Sequence, residues 1–126
     1  MRERPTGEEL LAVALMVLRE ELMPHLPGDR RYDALMIANA MGIAARQLAF
    51  GNEPEREERN RLIDLLVRTG TCDRTTAEDS DLAELNHLFG TRIRGGEFDP
   101  GSPGHDSLKT FLLDTTIQRL RESSPK

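Results

Sequence analysis

The sequence predicts an all-α fold: a compact bundle of about five helices forming one domain over residues 1–126. Three observations predict it. No stretch sustains the period-two alternation of a half-buried strand. Apolar residues instead recur at helical spacing in five segments, each bounded by capping residues, Pro or Gly. The composition is 37% hydrophobic but only 4% aromatic, with no Trp, so the core must be built from Leu, Ile, Val, Met and Ala, which suits helix–helix packing.

The first helix starts at Thr6. The run Thr6-Gly7-Glu8-Glu9 is a capping box, in which Thr6 accepts from the Glu9 amide and the Glu9 side chain reaches back. It extends to about Met23, where Pro24 and Pro27-Gly28 stop it. Its middle is apolar on nearly all sides, which predicts a central, buried position. The second helix starts after Asp29 as N-cap and reaches Phe50, with Gly51 as its stop. The third covers about Glu53 to Thr69, its acidic first turns suited to the helix dipole. Residues 70–81 read as a loop and cap. The fourth helix runs to Arg94, with Leu82, Leu85, Phe89 and Ile93 on one stripe and Gly95-Gly96 after it. A Gly/Pro-rich loop spans residues 96–106. The last helix covers about Ser107 to Glu122, its face made by Leu108, Phe111, Leu112 and Thr115, with Ile117 and Leu120 beyond. The final Ser-Ser-Pro-Lys is expected to fray.

Charge excludes some partners. The net charge is -5, the wrong sign for non-specific binding to nucleic acid or to an anionic membrane. The apolar run from Leu10 to Leu18 is too short to span a bilayer, and Glu3, Glu8 and Glu9 spoil a secretory signal. A cytoplasmic protein is the expectation. The single cysteine, Cys72, makes no intrachain disulfide and no cysteine-rich metal site.

The second helix carries the most pattern. Ala34, Ala38 and Gly42 lie four apart, and Ala45 and Ala49 continue a strip of small residues that lets a neighbouring helix approach closely. Gly42 costs about 1 kcal/mol of helix stability relative to Ala, which a close backbone contact would offset. Asn39 is an amide among apolar neighbours, roughly in line with Tyr32 and Arg46. It is read either as a structural amide that bonds a loop carbonyl or a helix end or fixes register against a symmetry mate, as in helical oligomers, or as a contact to a ligand or partner.

Catalytic candidates are thin. Glu84 and His87 form one Glu-x-x-His, whereas di-iron bundles carry two copies and further glutamates. His105-Asp106 is either an acid/base pair or, more simply, the start of the last helix. No phosphate-binding or nucleophile-elbow motif is present. No catalytic residue, metal or cofactor is assigned. Arg92 and Arg94 end the fourth helix, where cations complement its C-terminus. Alternatively their guanidinium forks hold a carboxylate or phosphate.

The segments Arg4-Pro5-Thr6, Ala38-Asn39-Ala40, Arg46, Leu85-Asn86 and Arg92-Ile93-Arg94 to Gly96 resemble a small bacterial all-helical family of unknown function, domain-of-unknown-function family 6285. The chain departs from the family pattern at Gln47 and over Tyr32 to Leu35. Members are typically encoded beside a kinase resembling aminoglycoside phosphotransferases and an acyl-CoA dehydrogenase. The resemblance implies a non-catalytic accessory protein, partnering such a kinase acting on hydroxyacyl-CoA or a similar small substrate. Asn39, Arg46, Arg92 and Arg94 are its expected binding residues, and a homo-oligomer is a further expectation. The alternative is a small helical ligand binder or enzyme for an acyl-CoA or phosphorylated metabolite, in which Asn39, Arg46 and Arg92 converge on a pocket.

Overall fold

The structure, a computed structural model, describes residues 3–125. It is all-α, with α1 (Gly7–Val17), α2 (Gly28–Phe50), α3 (Glu53–Arg68), α4 (Arg74–Asp79), α5 (Leu82–Arg94) and α6 (His105–Ser123), and no strand among the described residues. The chain divides into two compact units. A hairpin unit holds Met1–Gly51 and Leu120–Lys126, and a core unit holds Asn52–Arg119.

In the hairpin unit, α1 opens with the expected capping box on Thr6 and Glu9. Its α-helical ladder stops at Val17, short of Met23. Leu18–Leu22 form a π turn closed by the Met23 amide on the Leu18 carbonyl, and Met23–His25 form a 3-10 turn. Pro24 has no N–H to continue the ladder, so the chain changes pitch before it turns. α2 starts one residue before Asp29. The Pro27 carbonyl accepts from the amides of Arg30 and Arg31 at 2.9 and 3.0 Å, so Asp29 lies in the first turn, where it complements the dipole instead of capping. A Cβ placed on Gly7 would sit 3.5 Å from Leu48 Cδ1. The start of α1 thus lies beside the end of α2, and the two helices pack antiparallel.

The buried strip of this hairpin is Ala34, Ala38 and Gly42, the small-residue spacing seen in the sequence. One detail differs. The atoms nearest a Cβ on Gly42 belong to the Arg46 guanidinium, with Nη1 at 3.3 Å. Gly42 therefore makes room for its own helix's arginine and not for the backbone of a neighbour. Nor is α1 a buried central helix: none of its residues is buried.

The core unit is built around Leu62, Ile63, Leu65 and Leu66 of α3, Leu85 and Phe89 of α5, and Leu108 and Phe111 of α6. Phe89 meets Phe98 and Phe111 edge-on, with ring centroids 5.4 and 5.5 Å apart, the geometry aromatic quadrupoles favour. The segment read as loop over 70–81 contains α4, capped by the Asp73 side chain on the Thr76 amide and burying Ala77. α5 is capped at both ends as expected, with a full capping box on Asp81 and Glu84. The outer part of the expected α6 face is not core: Leu112, Ile117 and Leu120 are exposed.

Two helices end in the same clasp. After α3, Gly70 at φ 74 lets the Gly70 and Thr71 amides reach the Val67 and Leu66 carbonyls. After α5, Gly96 at φ 85 lets the Gly96 and Glu97 amides reach the Ile93 and Arg92 carbonyls. Both are Schellman motifs, which need a left-handed residue that only glycine adopts without strain.

Candidate functional site

The four expected binding residues fall in different units: Asn39 and Arg46 in the hairpin, Arg92 and Arg94 in the core unit. Asn39 is exposed, so it is not a buried register amide within this chain. Its side chain makes no hydrogen bond to a described residue.

Arg46 is half-buried and occupied. Its Nε donates to the Glu122 carbonyl and its Nη2 to the Ser123 carbonyl at 3.4 Å. Carbonyls in the last turn of a helix lack partners one turn on, and a guanidinium fork supplies two donors there. Arg46 is thereby the C-terminal tie of α6, with Gly42 clearing its path.

Arg92 is likewise occupied. Its guanidinium pairs with Glu97 at 2.7 Å while its own carbonyl accepts the Glu97 amide at 3.2 Å. The side chains thus close the same clasp that the backbone closes after α5. Arg94 is exposed and has no hydrogen-bond or ion-pair partner among the described residues.

The remaining candidates also resolve into local roles. The Glu84 carboxylate is bonded to the Asp81 amide at 2.9 Å, and His87 is exposed. Among the described residues no group of three or more His, Cys, Asp or Glu side chains could hold a metal. His105 Nδ1 lies 2.9 Å from the Phe98 carbonyl and pins the loop before α6. The Cys72 thiol is half-buried and its pKa is pushed up, first by burial and then by Asp73, with Arg92 opposing. It therefore stays protonated at neutral pH and is a poor nucleophile.

What stands out is a set of exposed apolar side chains. Leu10, Val13 and Met16 lie three apart along α1 and are exposed, as are Leu35, Met36, Ile37, Leu48 and Phe50 of α2. Val13 is 57% exposed and Ile37 55%, whereas Leu62 and Leu66 in the core unit are at 0%. Single exposed leucines are ordinary. A hairpin whose fully buried residues, among those described, are alanine and glycine, with Leu11, Leu15, Leu18, Met41 and Ile43 half-buried and so many other large apolar side chains exposed, is not. The sequence signal was the all-round apolar character of α1, which fits burial within the chain or burial against something else.

These features define an all-α protein with a cored helical unit and an apolar helical hairpin. The chain belongs to the family described as Domain of unknown function (DUF6285), whose model matches residues 24–126. The match takes in α2 to α6 and starts after α1. No curated protein and no solved structure matches the chain. No single helix among the described residues is long and apolar enough to cross a membrane.

Proposed function

We propose that this chain is a non-catalytic interaction protein whose hairpin docks on an enzyme. One observation carries the reading: the hairpin unit buries Ala34, Ala38 and Gly42 and exposes Leu10, Val13, Met16, Ile37 and Leu48. Apolar surface of this kind gains roughly 25 cal/mol for each Å² removed from water, so a partner that covers it is favoured. The family resemblance supplies the partner class, a bacterial phosphotransferase-like kinase acting on hydroxyacyl-CoA or a similar small substrate in the cytoplasm. Docking would favour one kinase conformation over another and shift its population. Within the hairpin, Asn39 is the expected binding residue left to set specificity at the rim, since Arg46 is engaged within the chain.

A second reading, self-association through the same face, is favoured by charge. The hairpin unit carries eight basic and eight acidic residues, so the whole net charge of -5 belongs to the core unit. Joining two hairpins therefore brings no net charge together.

The deciding experiment is co-expression with the adjacent kinase, co-purification, and a phosphorylation assay with and without this chain. A complex that raises phosphorylation and is lost in Val13→Ser/Ile37→Ser supports the kinase reading. A chain that remains monomeric and leaves the kinase unbound sinks both readings. A dimer alone, dissociated by the same substitutions, supports the second.

A further inference from the structure

The core unit contains two cavities of about 430 and 420 Å³, each within the size range of small-molecule sites. They adjoin at two shared lining residues, Arg68 from the last turn of α3 and Ser107 from the first turn of α6, and together are called the cleft. None of the four residues singled out in the sequence lines it.

The charges in the cleft are unequal in kind. In the first cavity Arg61 is paired with Asp114 at 3.0 Å and Asp64 with Arg74 at 3.2 Å. That leaves Arg68 and Asp106 without an ion-pair partner among the described residues. In the second cavity Glu97 is neutralised by Arg92 at 2.7 Å, so among the described residues the uncompensated charge lining it is the exposed Arg68 guanidinium. Beside Arg68 the second cavity has the Thr71 and Ser107 hydroxyls, and its apolar wall is Phe98 and Pro103. In the first turn of α6 the His105 and Leu108 amides donate to the Ser102 and Gly104 carbonyls, whereas the Ser107 amide has no carbonyl one turn back inside the helix. The wall of the first cavity is Leu65 and Phe111.

We infer that this cleft binds a small molecule bearing a carboxylate or a phosphate, with its anionic head on Arg68 and Ser107 in the second cavity and an uncharged, partly aromatic or aliphatic body along the apolar walls. The sign of the head follows from Arg68, and its placement from the carboxylates: Asp64, Asp106 and Asp114 line the first cavity, against Glu97 alone in the second. The core unit's overall negative charge weakens the attraction only locally, because charges beyond a Debye length of about 8 Å are screened at physiological salt. This site is independent of the hairpin and of any kinase.

The test is a titration of the full-length ¹⁵N-labelled chain with phenyl phosphate, benzoate and inorganic phosphate, read by amide shifts. Saturable shifts at Arg68, Thr71 and Ser107 are expected, with a Kd on the order of 1 mM for probes of so few atoms. Phenyl phosphate alone would assign a phosphate monoester, and benzoate alone a carboxylic acid. Arg68→Gln is expected to weaken binding tenfold or more with the rest of the spectrum unchanged. Asp106→Asn is expected to leave binding intact or tighten it. The site is overturned if no probe gives saturable shifts there or if Arg68→Gln binds as the parent chain does. Equal affinity for inorganic phosphate and phenyl phosphate overturns the role given to the apolar walls.

Discussion

The two units differ in how deeply they bury their large apolar side chains. In the core unit, Leu62, Leu65, Leu66 and Leu85 are fully buried, and three phenylalanine rings close the centre. In the hairpin unit the buried strip is alanine and glycine, and the large side chains are either half-buried, as Leu11, Leu15 and Ile43 are, or exposed, as Leu10, Val13 and Ile37 are. Small residues let helices approach closely, but they bury little apolar area, and buried area is what stabilises a fold. The core unit is therefore organised for its own stability. The hairpin is organised to present a surface. The local devices follow the same division. The core unit has an N-cap on α4, a capping box on α5 and Schellman clasps after α3 and α5. The hairpin relies on one capping box and the Arg46 tie.

The largest expected effect tests the core side of this contrast. Phe89→Ala removes the ring that meets both Phe98 and Phe111, and large-to-small changes of this kind cost about 3–5 kcal/mol. Chemical denaturation with α3 and α5 amide exchange as the readout should show it. A loss below about 1 kcal/mol would mean that the ring cluster does not anchor the unit.

Arg46→Ala comes next. It deprives the Glu122 and Ser123 carbonyls of their charged donors, at a cost of about 1–2 kcal/mol for a half-buried charge-assisted pair. Exchange should accelerate in the last turn of α6 first. Unchanged exchange there, with weakened partner binding, would make Arg46 a docking residue after all.

Asp81→Ala removes the N-cap of α5 and should cost about 1 kcal/mol. Asp73, the cap of α4, offers a pH version of the same test. Its pKa is lowered by the Thr76 amide and hydroxyl, so its contribution is present above the usual carboxylate pKa of about 4 and is lost as pH falls. Thr76 amide protection, taken relative to its intrinsic exchange rate, should fall on acidification, and Asp73→Asn should flatten that response.

Helix punctuation was legible in the sequence because caps act locally. Thr6 with Glu9, Gly51, and Gly95-Gly96 marked the helix ends as the structure has them. α4 was not legible: six residues burying one alanine give no periodicity to read. Phe98 was missed as core because it sits in a Gly/Pro-rich loop, where burial depends on how α5 and α6 are placed. The arginines show the limit most clearly. Arg46 and Arg92 look like ligand forks on a helix, yet Arg46 is spent on carbonyls far along the chain and Arg92 on a carboxylate five residues on. Arg68, in the last turn of α3 and not singled out by the sequence, has no ion-pair partner among the described residues and lines both cavities.

The smallest stability effect is the most informative about the hairpin. Val13→Ser and Ile37→Ser replace side chains that are already more than half in water. In the isolated chain each should shift stability by no more than about 0.5 kcal/mol, measured by denaturation of monomeric protein at low concentration. The same pair should abolish binding to the partner that covers the face, because the apolar area would then be lost from an interface and not from a solvated surface. A large loss of stability in the monomer would instead mean that these residues are covered within the chain, and the contrast between the units would fail. Near-neutral stability with lost association is the combination that a surface built for docking requires.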